Sequence, residues 1–224
     1  TASEIKEMDY SQLHHFIWGN QKKEYNPPIM PDLWKVQQIT DNDEFKTVHY
    51  TISLTDEGKK CDFLRFLVNA SNFTWRREKK IAEGKQENGQ PVKIEPEEFL
   101  DNQHHLVAKL CAIGYMLSEY KDPSVTKAVV GVDGKQSEIG ESNGRSGKSL
   151  LGELFNIATP TNYIDGKIAD VERDTFIWTE ITENTRIVFI DDVKRSFDFE
   201  MMLPKLTGPW AINYKGGGRV TLPF

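Results

Sequence analysis

Cysteine is nearly missing from this chain of 224 residues: Cys61 and Cys111 stand far apart and form no CxxC pattern. That excludes a disulfide framework and a zinc knuckle, and it points to a reducing compartment, the cytoplasm. Long apolar runs are missing too, and none approaches the ~18 residues needed to span a membrane. The opening TASEIKEM is charged and has no secretory pattern. Basic charge is in deficit, with 28 Lys and Arg against 34 Asp and Glu, giving a net charge of −6. A basic coat over the whole surface is therefore excluded. Any contact with nucleic acid must come from a local cluster.

What is present is an ordinary globular composition, 38% hydrophobic and 28% charged, enough for one large domain or two small ones. Folding at this length buries roughly 70% of the unfolded surface, so no covalent staple is required.

Residues 1–98 read as an N-terminal region of mixed α+β and helical structure without an assigned role. A short amphipathic stretch (Leu13, Phe16, Ile17) leads into a turn rich in proline at Pro27, Pro28 and Pro31. Val48, Tyr50, Ile52 and Leu54 alternate with His49, Thr51 and Ser53, the period of a half-buried strand. Phe63, Leu64, Phe66 and Leu67 group as in a short helix. The charged stretch 76–98 reads as a solvated hairpin or linker around Asn88-Gly89. A competing reading, a basic patch at Arg76, Arg77, Lys79 and Lys80, is weakened by the neighbouring glutamates.

From Pro96 the spacing predicts a helix, with Phe99, Leu106, Leu110, Ile113 and Leu117 recurring every three or four residues up to a stop at Asp122-Pro123. His104 and His105 are adjacent in it and cannot share one face as metal ligands. They read as structural or surface residues, as do His14 and His15. Beyond the helix, strand and helix alternate. KAVVGVDG is strand-like, SLLGELFNIA helical, NTRIVFIDDV a buried strand, DFEMMLPKL a short helix, and AINYKGGGRVTLPF a hairpin. That order marks an α/β layer fold.

Between the first of these strands and its helix lies Ser142-Asn143-Gly144-Arg145-Ser146-Gly147-Lys148-Ser149. It fits the Walker A phosphate-loop pattern except at its first position, where Ser142 replaces glycine. Gly144 and Gly147 can take backbone angles that turn successive N–H groups onto phosphate oxygens. The helix beginning near Leu150 offers its positive end to the same anion. In this reading Asn143, Gly144, Arg145, Ser146, Gly147, Lys148, Ser149 and Leu150 bind the nucleotide. Lys148 reaches the β- and γ-phosphates, and the Ser149 hydroxyl ligates Mg²⁺. The competing reading is a glycine-rich turn with a chance Lys-Ser.

A second motif is independent of the first. Ile187-Val188-Phe189-Ile190 is an apolar run suited to a parallel strand covered on both faces, and it ends on Asp191-Asp192. A hydrophobic strand ending in acids is a Walker B element. Asp191 would hold Mg²⁺ and Asp192 would polarise the attacking water, so Lys148, Asp191 and Asp192 form the expected catalytic set. Alternatively the two acids only cap the next turn.

These motifs, with LPKLTGPWAINYKGGGRVTLPF after them and GYMLSEYKDPSVTKAVVGVDG before, resemble the superfamily 3 helicases. That branch of the AAA+ ATPases includes the primase-helicases of phages, large DNA viruses and mobile elements. The resemblance covers residues 99–224, is faint over 60–98, and includes the compact spacing from Lys148 to Asp191 with one helical segment (Ala169 to Ile181) between. It implies a P-loop core with a parallel sheet, an N-terminal region 1–98 and an ATPase/helicase core 99–224. It also implies ATP and Mg²⁺ as ligands, a hexameric ring, single-stranded or forked DNA as partner, and an adjoining primase module. In such a ring each hairpin tracks the phosphate backbone, so Lys215 and Arg219 at the Gly216-Gly217-Gly218 tip are the expected nucleic-acid contacts. The competing reading is a solvated hairpin whose charges discourage edge pairing.

The family's sensor strand should follow Phe224, and it should lie between the P-loop strand and the Walker B strand. The expectation is therefore a fragment of a longer protein, with which the missing first methionine agrees. Arg173, Arg186 and Arg195 are candidates for an arginine finger. Two other functions stay open: a packaging or initiator ATPase without strand separation, and a non-catalytic fragment.

Overall fold

The computed structural model describes residues 31–41, 46–72, 94–118, 124, 126–132, 147–167, 171, 173–194 and 196–222. The chain forms two compact units, Thr1–Phe66 and Leu67–Phe224. Among the described residues, three two-stranded sheets and four helices make a mixed α/β protein. None of those helices is long and apolar enough to cross a membrane.

In the first unit, β1 (Trp34–Thr40) and β2 (Val48–Leu54) pair antiparallel, with Val36 opposite Ile52 and Gln38 opposite Tyr50. The alternation of β2 produces the strand, but not the face that was expected to be buried. Thr51 is the buried residue, whereas Val48 and Tyr50 are exposed. A period of two fixes which side chains share a face, and only packing decides which face meets a core. After β2 the chain turns back tightly on the entry to β1. A Cβ on Gly58 would lie 1.8 Å from the Leu33 carbonyl oxygen, so only glycine fits this approach.

The predicted short helix is α1 (Asp62–Ser71), with Leu64 and Leu67 buried. The long helix α2 (Pro96–Leu117) begins with proline in its first turn, where the missing N–H removes no bond. The Glu98 carboxylate accepts from the Glu95 N–H at 3.4 Å. The helix is capped at Ser118, and the stop expected at Asp122-Pro123 lies outside the described residues. Its apolar stripe is only partly used, since Leu106 is buried while Phe99 and Leu117 are exposed. Lys109 Nζ donates to Ala70 O and to Ser71 Oγ, both at 3.0 Å, and so ties α2 to the end of α1. Burial at that contact pushes the Lys109 ammonium below its ordinary value.

The candidate site is built on α3 (Lys148–Ala158), β3 (Thr161–Asp165) and β4 (Ile187–Asp191). β3 and β4 pair parallel, with Tyr163 opposite Phe189 and Asp165 opposite Asp191. Alternation puts Ile164, Val188 and Ile190 on one face, where they join a core with Val171, Trp178, Ile181, Ile212 and Leu222. The other face carries Tyr163, Asp165, Phe189 and Asp191 and meets α3. There a Cβ on Gly152 would sit 2.5 Å from the Phe189 ring. The glycine is what lets helix and strand approach.

After β4 a 3₁₀ turn (Phe199–Met202) runs into the short helix α4 (Leu203–Thr207) and the hairpin β5 (Trp210–Tyr214) and β6 (Gly218–Leu222). Ile212 is fully buried and Leu222 nearly so, which anchors the hairpin's base in the core. Such side chains each contribute about 1.5–3 kcal/mol on burial.

Two expected elements do not form. Ala128-Val129-Val130 was expected as the strand before the phosphate loop, yet 126–132 carries no strand and Val129, Val130 and Val132 are exposed. An apolar run becomes a strand only when a neighbour takes up its hydrogen bonds. The helix expected from Ala169 to Ile181 is replaced, among its described residues, by successive turns with N–H donors three residues beyond their acceptors: Ile177 to Asp174, Thr179 to Phe176 and Ile181 to Trp178. The Asp174 carboxylate accepts from the Phe176 N–H at 2.8 Å, a local bond that competes with a helix. The run Thr175-Phe176-Ile177-Trp178-Thr179 is β-branched and aromatic throughout, which further disfavours one.

Candidate functional site

Gly147 is left-handed, at φ 83° and ψ 10°, a conformation that costs glycine little. It turns the chain so that Lys148 and Ser149 open α3. The first N–H groups of that helix have no carbonyl partner within it and make its start electropositive. Leu150, in the same turn, is exposed. Asn143, Gly144, Arg145 and Ser146 lie outside the described residues, as does Arg195. The stretch 126–132 still passes the site: a Cβ on Gly131 would lie 3.7 Å from Lys148 Cδ.

Ser149 meets the end of β4. Ser149 Oγ donates to Asp191 Oδ2 at 2.9 Å, across a separation of 42 residues. The same oxygen accepts from the Tyr163 hydroxyl at 3.2 Å, while Asp191 Oδ1 accepts from the Asp192 N–H at 3.0 Å. Both carboxylate oxygens are thus oriented. The Asp191 backbone is held as well, its carbonyl accepting from the Gly166 N–H at 2.7 Å.

Asp192 is in a different state. Its φ of 53° is uncommon for a residue other than glycine, though aspartate tolerates it better than most. Its carboxylate is ion-paired with Lys167, Nζ to Oδ2, at 2.6 Å. Lys167 follows β3 and is placed by its own N–H, which donates to Asp165 Oδ1 at 2.9 Å. The hydrogen bond to Asp192, and then that carboxylate's charge, hold the Lys167 ammonium above its ordinary value. Both side chains are more than half exposed, so salt screens the pair.

The donor set suits a small hard cation. A hydroxyl and a carboxylate 2.9 Å apart match the one or two protein ligands that Mg²⁺ takes when phosphates and waters complete its shell. Among the described residues no group of three or more His, Cys, Asp or Glu could hold a metal alone. A site that borrows ligands from phosphate does not need one.

At the hairpin, Gly216 and Gly218 have φ of 76° and 82°, and the Gly217 N–H donates to Tyr214 O at 3.2 Å to close the tip. Lys215 lies in the tip and Arg219 opposite Asn213 on β6, both exposed. Lys205 from α4 lies over two rings, 4.8 Å from the Trp178 centroid and 4.9 Å from that of Trp210. Trp210 Nε1 donates back to Lys205 O at 2.5 Å. These contacts fix α4 to the hairpin's first strand. Arg173 and Arg186 are exposed on the connection from β3 to β4.

Sequence reasoning did not find β3, and with it missed Tyr163 and Lys167. The signal was short but present. In Thr161-Asn162-Tyr163-Ile164-Asp165-Gly166 the β-branched Thr161 and Ile164 and the aromatic Tyr163 favour a strand, and it ends on Asp-Gly, a turn dipeptide.

Comparison with protein-family models, with curated proteins and with solved structures finds no match to this chain.

Proposed function

We propose that this chain is the ATP-binding core of a helicase of the superfamily 3 kind, with a P-loop fold, that hydrolyses ATP between the subunits of a hexameric ring to move along single-stranded or forked DNA. The observation that carries the reading is the bond from Ser149 Oγ to Asp191 Oδ2 at 2.9 Å. It joins a Gly-Lys-Ser helix start to the acid end of an apolar strand, two features that sequence alone leaves unconnected.

The chemistry assigned to each residue follows from its place. The start of α3 offers N–H groups to phosphate oxygens. Lys148 adds a positive charge against the β- and γ-phosphates and counters the charge that grows as the terminal phosphoryl group leaves. Ser149 and Asp191 would hold Mg²⁺, which supplies further charge neutralisation at the phosphates when bound. Asp192 accepts the proton of the attacking water, for which Lys167 must first release it. In the same reading Lys215 and Arg219 contact backbone phosphates, and a primase module adjoins the core in the whole protein.

A second reading, nucleotide binding without turnover, is favoured by the ion pair of Lys167 and Asp192. ATP hydrolysis measured with and without single-stranded DNA, over a range of protein concentrations, separates the two. Turnover that rises with DNA and more than linearly with protein supports the helicase reading, because the site is completed between subunits. Binding without hydrolysis supports the second. Strand separation on a forked duplex then distinguishes a helicase from a packaging or initiator ATPase.

A further inference from the structure

We propose that Tyr163 is the positioning residue for Asp191, its hydroxyl holding the carboxylate in the orientation that receives the nucleotide's divalent cation. The inference rests on the nucleotide reading and adds a residue outside both motifs.

Among the described residues, three donors reach the Asp191 carboxylate: Ser149 Oγ at 2.9 Å and Tyr163 OH at 3.2 Å on Oδ2, and the Asp192 N–H at 3.0 Å on Oδ1. Only the backbone donor is fixed by the strand. A hydroxyl carries one donor and two lone pairs, so Ser149 can ligate the cation through a lone pair while its O–H stays on Oδ2. Among the described residues, Tyr163 is the second side-chain donor on Oδ2, and the one whose hydroxyl is not itself a ligand of the cation.

Its own placement is well determined. Parallel pairing sets Tyr163 beside Phe189, two residues before Asp191 and on the same face. The two rings lie 5.7 Å apart at 39°. The ring rests against Phe189, and its hydroxyl reaches Asp191 Oδ2 at 3.2 Å. The ring is 57% exposed, so packing alone gives little reason for a tyrosine here.

The test is Tyr163→Phe, which keeps the ring on Phe189 and removes only the donor. Binding of a fluorescent ATP analogue is followed while Mg²⁺ is titrated, with Asp191→Asn as a control. The expected result is a Mg²⁺ midpoint raised about tenfold, the low end for residues that orient a metal ligand. Nucleotide affinity in EDTA and the melting temperature should stay as in wild type. An unchanged midpoint in Tyr163→Phe, beside a raised one in Asp191→Asn, overturns this inference and leaves the nucleotide reading standing. An equal loss of affinity with and without Mg²⁺ also overturns it, because the hydroxyl would then act on the fold. Wild-type protein that binds the analogue without any dependence on Mg²⁺ overturns both.

Discussion

Lys167 Nζ closes on Asp192 Oδ2 at 2.6 Å, so the acid expected to activate water is held by a cation from the neighbouring strand's end. An exposed pair of this kind is weak and screened by salt. Lys167→Met should therefore hydrolyse ATP faster than wild type at low ionic strength, by no more than about fivefold. Wild-type turnover should rise toward that of the variant as salt is added. Slower turnover in Lys167→Met at every salt concentration would assign the lysine a helping role instead.

Alkaline titration should separate two lysines of opposite sign. Lys167 is held above its ordinary value, so its pairing stabilises the fold fully below about pH 10.4 and is lost as pH climbs through the raised value. Lys109 is pushed below its ordinary value by burial. Between that lowered value and about pH 10.4 the unfolded chain binds more protons, and stability rises with pH. Urea unfolding from pH 8 to 11 should show Lys109→Met without the rise and Lys167→Met without the loss. Parallel curves for wild type and both variants would contradict this assignment.

Gly152→Ala should loosen the contact between α3 and β4. The added Cβ would stand 2.5 Å from Phe189 Cε1, and relief requires the ring or the helix to move. A loss of about 1–3 kcal/mol in unfolding free energy is expected, as for other overpacked cores. Because the shift displaces Ser149 from Asp191, Mg²⁺-dependent nucleotide binding should weaken with it. Wild-type stability in Gly152→Ala would mean that the approach is looser than described.

How much of this was legible in the sequence depends on the range of the interactions involved. α2 and the hairpin were readable because their signals are local: a proline start with a three- and four-residue apolar period, and a triple-glycine tip between two strands. The Asp191 end of β4 was readable for the same reason. The segment from 173 to 181 was misread because the helix came from the family resemblance, while Asp174 and the β-branched and aromatic run favour turns. Strand formation at Ala128-Val129-Val130 depends on a partner, which no local pattern encodes. Lys167 was missed because its role exists only once β3 lies parallel to β4 and brings it to Asp192.

Replacing both Lys215 and Arg219 with alanine tests the hairpin. ATP binding should persist, since neither residue belongs to the phosphate loop or the acid pair. Affinity for DNA should fall about equally for all sequences, because phosphate contacts carry no base information. The salt dependence of binding should flatten by roughly 0.7 per lost contact on a single strand. Unchanged affinity and slope would leave the tip a solvated turn.

Calorimetric titration of ATP into the chain, with and without Mg²⁺ and for wild type beside Lys148→Ala, tests the nucleotide site most directly. The lysine contributes a charged contact to phosphate, and losing such a contact costs about tenfold or more in affinity. The expected result is saturable binding of one ATP per chain, tighter with Mg²⁺ and at least that much weaker in Lys148→Ala. Absence of binding, or binding equally tight in Lys148→Ala, would contradict the account.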